Sequence, residues 1–541
     1  MKQQFGCYFA RMNKTIWFAF NSKIQFPCWR ILATTVMATL LLPVAGLAAD
    51  KGKAEHIVVV VWDGMRPDFI SKEHTPTLYQ LALHGTLFEN HHPVYLSTTE
   101  VNGTALNTGA HPEHSGIMAN KEYRPQIDRL KSIAMEDEDS VRQGDLVSGG
   151  HFIAVPTLAE IVQSHGFPTA IAGTKSVTRL LDRAEERTSD SAKASADFFK
   201  GKILPASAMS PMVAANDDQP FPEKITFPNV AQDAWTTRGL TGGLWKNGVA
   251  QFSVLWMSDP EYTQHNNAPG SPEALGALES VDRDLATVLK TLEDKKLRDQ
   301  TDVFVVSDHG FSTVERAVDV ADLLQQAGFH AAKKFTDPQP GDIMVVGLGG
   351  SVSLYVVGHD EAVIRKLVEF FQASDFGGVI FSRPSIEGTF PLEQVRIATT
   401  NAPDVLVAMR WSARTNAFGA PGLFAGDTNK KGAHGSLSPY DMHNTLVAAG
   451  PDFRRGFKDK LPTGNIDLAP TILWILGLQP PQAMDGRILS EAVTELKAPK
   501  AKPEQKTVEA SHDGAGFHWR QYLKTSTVGD TIYFDEGNAV K

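Results

Sequence analysis

Apolar and polar positions change period along this chain, and the changes mark its elements. Residues 57–62, Ile-Val-Val-Val-Val-Trp, form a continuous and mostly β-branched run, the pattern of a strand covered on both faces in a parallel sheet. The run stops at Asp63-Gly64, a turn signal. Comparable runs at Thr169 to Ala172, Phe252 to Met257, Val303 to Ser307 and Asp404 to Met409 predict further strands. Stretches of helical period, among them Thr157 to His165 and Pro272 to Glu293, fall between several of them. This alternation predicts an α/β fold with a mostly parallel central sheet flanked by helices.

Two stretches fit that plan less well. The polar segment 185–248 is rich in Pro, Asn and Asp, and segment 313–431 carries its own pattern of strand (Val352 to Val357), helix (Glu361 to Ala373) and strand (Gly378 to Phe381). The second reads as an inserted lid lobe, which gives a catalytic α/β domain over 50–312 and 432–490 and a C-terminal extension over 491–541. A helix opens near Asn465, the Lys/Pro-rich stretch 497–506 reads as a linker or surface arm, and Thr531 to Phe534 predicts a strand by which the tail returns to the body.

Residues 1–49 read as a signal peptide, because scattered cations (Lys2, Arg11, Lys14, Lys23, Arg30) precede an apolar run from Ile31 to Leu47 that ends in small residues, with cleavage near Ala48. A retained anchor is the alternative; the run is short and broken by Pro43, so no membrane anchor is expected after processing. The formal charge of -10 then becomes -10 - 5 = -15, because five Lys+Arg and no acid are lost. That balance disfavours duplex nucleic acid as a partner. Both cysteines, Cys7 and Cys28, leave with the leader, so Cys-ligated metal and cysteine nucleophiles are excluded from the mature chain. The expected compartment is periplasmic or secreted.

Loops at the carboxyl ends of strands are where an open α/β sheet gathers side chains from separate segments. Four such places carry acids or histidines: Asp63 after the first strand; Glu261 and His265 after Met257; Asp308-His309 after Ser307; and His434 in a Gly-rich loop. Taken singly, each has a plainer reading as a turn, a solvated pair or a surface helix pair. As a set, their carboxylate and imidazole donors suit two divalent ions, most naturally Zn, and a bimetallic site clamps both oxygens of a displacement at phosphorus. A nucleophile is offered by Ser97-Thr98-Thr99-Glu100-Val101-Asn102, with Thr99 at a predicted helix start and the Asn102 amide placed to hold a phosphoryl oxygen. The plainer alternative is that Thr98 or Thr99 only caps the helix.

Together these motifs resemble the alkaline phosphatase superfamily, in its nucleotide pyrophosphatase/phosphodiesterase branch. The resemblance runs from Asp63 to Asp485 and rests on Val-Val-Val-Trp-Asp63-Gly64-Met65-Arg66, on Thr99 to Asn102 with Thr108 to Ile117, on Ser258 to His265, on Ser307-Asp308-His309-Gly310 and on Gly432-Ala433-His434-Gly435. It implies an alkaline-phosphatase-like sandwich. It also implies one zinc held by Asp63, Asp308, His309 and the Thr99 oxygen, a second held by Glu261, His265 and His434, and a phospho-threonine intermediate. The substrate implied is a small phosphate ester with a phosphodiester or pyrophosphate bond.

Two positions depart from the family pattern. The family has Asp where this chain has Glu261, which makes Asp259 an alternative ligand. Its Thr-Phe-Pro-Asn stands here as Thr-Glu-Val-Asn, which replaces the nucleobase-stacking aromatic by Glu100. Lys175 follows the strand 169–172, with Arg179 and Arg183 beyond it; a cation there could meet the extra charge of a monoester, but the preferred reading is three solvated helix charges. His91, His92, His111 and His114 read as structural or loop residues. The alternatives to a phosphodiesterase are a phosphomonoesterase or phosphonate hydrolase on the same fold, marked by a cation beside Thr99, and a non-catalytic periplasmic binding protein. A sulfatase is disfavoured by the missing cysteine.

Overall fold

The computed structural model describes residues 51–500 and 502–540. The predicted leader and both cysteines therefore lie outside the described residues. The central feature is a nine-stranded sheet. At its middle, His56–Trp62 runs parallel to both Thr301–Val306 and Phe252–Met257, and the parallel run continues through Thr169–Gly173 to Ala196–Phe199. Leu446–Ala449 joins the other side antiparallel to Thr301–Val306.

The first strand shows why a β-branched run folds here. Ile57, Val59 and Val61 pack on one face with Phe252, Val254 and Trp256, beneath Leu158, Ile161 and Ile472 from helices Leu158–Ser164 and Leu468–Leu476. Val58, Val60 and Trp62 pack on the opposite face against Leu278, Val281, Leu285 and Val288 of helix Pro272–Asp294. Both faces are covered, so an alternating polar position would be buried without a partner. Each large apolar side chain contributes about 1.5–3 kcal/mol on burial instead.

Val405–Met409, grouped above with the central-sheet runs, belongs elsewhere. It pairs antiparallel with Ser351–Val356 and Gly377–Ser382 in a separate five-stranded sheet. The residues are apolar because this second sheet is itself covered, by helix Glu361–Ala373 on one face and by the chain around the predicted nucleophile on the other. Tyr95, Leu96 and Val101 pack there with Met344, Val346, Phe381, Leu523 and Phe534. Segment 313–431 thus leans directly on the residues next to Thr99. Its first strand, Ser312–Ala317, shares a sheet with Pro421–Gly426 and Gly432–Ala433.

Segment 185–248, unassigned from sequence, supplies the sheet edge Ala196–Phe199 and Lys202–Leu204 and the helix Val230–Arg238. The tail forms a three-stranded antiparallel sheet, Glu504–Gly514, Phe517–Val528 and Thr531–Val540. Tyr533 ties it to the body by donating to Asp467 Oδ2 at 2.8 Å.

Candidate metal centre and nucleophile

Asp63 leaves the sheet at the end of the first strand, and Gly64 turns the chain with φ +70. A side chain at Gly64 would be strained there, and its Cβ would lie 3.0 Å from the Phe311 ring and 3.2 Å from Glu261 Cβ. The turn lets Gly64 N–H donate to Asp308 Oδ1 at 3.1 Å and Asp63 C=O accept from Glu261 N–H at 3.0 Å, so three strand ends are stitched together. Trp256 Nε1 donates to Asp63 Oδ2 at 2.8 Å. Thr99 is the first residue of helix Thr99–Thr108, which approaches the sheet closely through Gly103, whose added Cβ would lie 3.1 Å from the Trp256 ring. Thr98 occupies the cap position but makes no capping bond.

Six of the predicted ligands and Thr99 come together. Thr99 Oγ lies 3.2 Å from His309 Nε2, which is 3.2 Å from Asp308 Oδ2 and 3.7 Å from Asp63 Oδ1. Glu261 Oε1 lies 3.2 Å from both His265 Nε2 and His434 Nε2. Asp63, Asp308 and His309 form one group able to hold an ion, and Glu261, His309 and His434 another. His309 therefore stands between the two, with its ring stacked on that of His434 at 3.7 Å.

The imidazole orientations show that these residues fit a cation. Each of the three rings donates its Nδ1–H to a backbone carbonyl: His309 to Gly310 at 2.8 Å, His265 to Gly432 at 2.7 Å, His434 to Ser97 at 3.0 Å. Each neutral ring then presents a lone pair at Nε2. Lone pairs facing carboxylate oxygens at 3.2 Å repel unless a positive charge lies among them. Asp63 Oδ1 and Asp308 Oδ2 are buried without any hydrogen-bond donor, as oxygens reserved for such a charge would be. Burial pushes the imidazoles down, His309 to about 3 and His265 and His434 to about 4, which keeps them in the ligating form. Burial, with the Lys175 charge opposing it, raises Asp308 to about 6, while burial and the charges of Asp308 and Glu261 push Asp63 well up.

Lys175 corrects the sequence reading. It is only 7% exposed, pairs with Asp63 Oδ2 at 2.8 Å and with Glu261, and lies 3.4 Å from Thr99 Oγ. Burial alone would lower its pKa, but Asp63 and Glu261 outweigh burial and hold it well above the usual lysine range. Burial would raise Glu261, but the ammonium outweighs it and keeps that carboxylate well below its usual range. Arg179 and Arg183 are buried too, and they pair with Glu185 and Asp145 away from the centre. Three cations that read as solvated are inside, on a segment whose Val177, Thr178 and Leu180 are buried as well.

Asn102 is a second correction. It is fully buried; its Nδ2 donates to the carbonyls of Val94, Leu96 and Thr98, and its Oδ1 accepts from Val94 N–H and Asn465 Nδ2. It shapes the loop before Thr99 and has no donor left for a phosphoryl oxygen. Asn120 is the amide on the cleft wall: its Oδ1 accepts Glu100 N–H at 3.2 Å, which leaves Nδ2 as the group offered to the cleft. Nothing in its sequence surroundings singled it out. Asn465 was missed as well. Its Nδ2 donates to Asp308 C=O at 2.6 Å and to Asn102 at 3.0 Å, while His91 and Asn444 hold its Oδ1, so it joins the Asp308 loop to the segment around Thr99.

Asp259, the rival of Glu261, is occupied elsewhere: its oxygens accept from Asn229 N–H at 2.6 Å and from Thr263 N–H and Oγ–H at 3.1 and 2.9 Å. The centre opens on a cleft of about 410 Å³ whose lining includes Thr98, Glu100, Asn120, Glu136, Lys175, Tyr262 and His434.

The family model for type I phosphodiesterase / nucleotide pyrophosphatase matches residues 57–406. The chain belongs to that family. It is a hydrolase of phosphoric ester bonds, and the family is metal-dependent. The chain is 22% identical over 456 residues to the bis(5'-adenosyl)-triphosphatase enpp4 of Mus musculus, over 83% of this chain and 84% of that one. It is 24% identical over 255 residues to ectonucleotide pyrophosphatase/phosphodiesterase family member 1 of Mus musculus, over 46% of this chain but 23% of that longer protein. Among solved structures, an inactive variant of murine ectonucleotide pyrophosphatase/phosphodiesterase 5 in complex with AMP matches with a TM-score of 0.56 at 18% identity, over 81% of this chain and 100% of that chain, which shows a common fold. Among the described residues no helix is long and apolar enough to cross a membrane.

Proposed function

We propose that this family member is an exported, two-zinc hydrolase of phosphodiester or pyrophosphate bonds in small molecules, acting through a phospho-threonine at Thr99. The observation that carries the reading is the convergence of three Nε2 lone pairs and the Asp63, Asp308 and Glu261 oxygens around the Thr99 hydroxyl. Asp63, Asp308, His309 and Thr99 would hold one ion, and Glu261, His265 and His434 the other. When bound, the ions supply Lewis-acid stabilisation of the charge that develops on the attacking and leaving oxygens.

The chain's own groups do the rest. Thr99 Oγ attacks phosphorus in line and expels the first alcohol or phosphate. Its place as the first residue of a helix puts the positive end of the helix dipole beside a non-bridging oxygen, and Asn120 Nδ2 adds a donor from the side. Lys175, 3.4 Å from Thr99 Oγ, holds the oxygen in its deprotonated form by charge. Water then displaces Thr99 from phosphorus in a second in-line step, and two inversions leave the configuration retained. Export is supported by the apolar run 31–47 ending in small residues.

The test is the metal-replete full chain assayed on bis-p-nitrophenyl phosphate. Thr99→Ala is expected to lower kcat/KM by roughly 10³-fold or more, and acid-quenched wild type is expected to carry phosphate on the peptide that contains Thr99. Undiminished turnover in Thr99→Ala would remove the covalent step. A second reading, hydrolysis of monoesters or phosphonates, is favoured by one observation: the Lys175 ammonium beside Thr99, placed to meet a third anionic oxygen. Parallel assays on p-nitrophenyl phosphate separate the two.

A further inference from the structure

Glu100 follows the nucleophile directly, lines the cleft and is 5% exposed, yet its Oε2 meets no hydrogen-bond donor. Glu136 lines the same cleft, and its Oε2 is likewise buried without a donor. A short hairpin brings them together: Lys121–Glu122 pairs with Ile133–Ala134, Met135 N–H donates to Asn120 C=O, and Asn120 Oδ1 receives Glu100 N–H. The other cations on the cleft wall, Lys121 and Lys430, are exposed and solvated, and Lys175 is already engaged with Asp63 and Glu261. Tyr262 presents an aromatic ring to the same space.

Two carboxyl oxygens buried on the wall of the cleft, each without a donor of its own, call for a donor from outside. We propose that Glu100 and Glu136 form an amine-binding subsite, which selects phosphodiesters whose alcohol part carries a primary ammonium a short chain away from phosphorus. This rests on the phosphodiesterase reading above and narrows its substrate class. An ammonium brings three N–H donors, which two carboxylates and one hydroxyl or water satisfy. A divalent ion fits less well, because it takes six or more oxygens and, among the described residues, no third carboxylate or imidazole joins the pair in a group able to hold an ion. A quaternary ammonium would meet the charge but offers no hydrogen, and it would draw on the Tyr262 face instead.

The test uses three p-nitrophenyl diesters on the metal-replete full chain: 2-aminoethyl, 2-(trimethylammonio)ethyl and 2-hydroxyethyl phosphate. The aminoethyl ester is expected to exceed the hydroxyethyl ester in kcat/KM by roughly 10- to 100-fold, the worth of a charge-assisted hydrogen bond. Glu100→Gln and Glu136→Gln should each shrink that ratio toward one. Glu136→Lys should reverse it in favour of a carboxymethyl ester, a gain that a misfolded variant would not show. Equal rates for the aminoethyl and hydroxyethyl esters, a ratio surviving both Gln variants, or a trimethylammonio ester as fast as the aminoethyl one would each overturn the subsite while leaving phosphodiester hydrolysis standing. If no diester were cleaved, the phosphodiesterase reading would fall and the subsite with it.

Discussion

The ammonium of Lys175 sits where a metal-dependent site puts positive charge, and removing it gives a sharp test of the centre's electrostatics. Lys175→Met keeps most of the side chain's bulk and leaves Asp63 Oδ2 and Glu261 Oε2, both buried, without their cationic partner. Taking one partner from a buried ion pair costs about 3–5 kcal/mol. With an unfolding entropy of roughly 2.1 cal/mol/K per residue over a 541-residue chain, that loss lowers Tm by about 3–4 °C. The figure applies to metal-free protein. Divalent ions held by the same carboxylates supply the missing charge, so the deficit should shrink when zinc is added, and the variant should gain more stability from zinc than the wild type does. The assay is differential scanning calorimetry of both proteins in EDTA and in excess zinc, with turnover of p-nitrophenyl phosphate and bis-p-nitrophenyl phosphate measured alongside. If Lys175 also meets the third oxygen of a monoester, the monoester rate falls about tenfold further than the diester rate. A Tm deficit below about 1 °C without metal, or an equal deficit with and without it, would refute the counter-ion role.

Three other outcomes follow from the same geometry. Glu261→Gln should lower the metal bound per chain, measured by elemental analysis, whereas Asp259→Asn should leave it intact and cost about 1–3 kcal/mol of stability, because Asp259 is spent on Asn229 and Thr263. Asn465→Ala removes the link between Asp308 C=O and the nucleophile loop, and should weaken zinc retention against a chelator by about 10- to 100-fold without touching a ligand. Burial raises Asp284 from 3.8 to about 7, so the folded chain holds a proton there that the unfolded chain gives up; this stabilisation is complete below pH 3.8 and is lost as pH rises through 7. Asp284→Asn should flatten that part of the urea-midpoint profile and leave the variant about 2–4 kcal/mol more stable above pH 7, and an unchanged profile would contradict the assignment.

The parts of this protein written in its sequence are those that depend on neighbours a few residues away. A β-branched run such as Ile57 to Trp62 needs apolar cover on both faces wherever it lies, and a loop that follows such a strand emerges at one edge of the sheet. Asp63, Asp308 and His309 could therefore be placed from spacing alone, and Glu261 and His265 share a helix face by being four apart. Long-range packing decided the rest. Val405–Met409 has the composition of a central strand, but only its antiparallel partners assign it to the second sheet. Lys175 reads as a solvated cation until Asp63 and Glu261, neither near it in sequence, enclose it. Asn102 and Asn120 are chemically the same amide, and which one lines the cleft depends on which backbone groups each meets first. The carbonyls that orient His265 and His434, and the hairpin that brings Glu136 to Glu100, join residues far apart along the chain through hydrogen bonds. Local composition does not encode such bonds, because any polar group satisfies an unspecified donor and only the closed fold selects one.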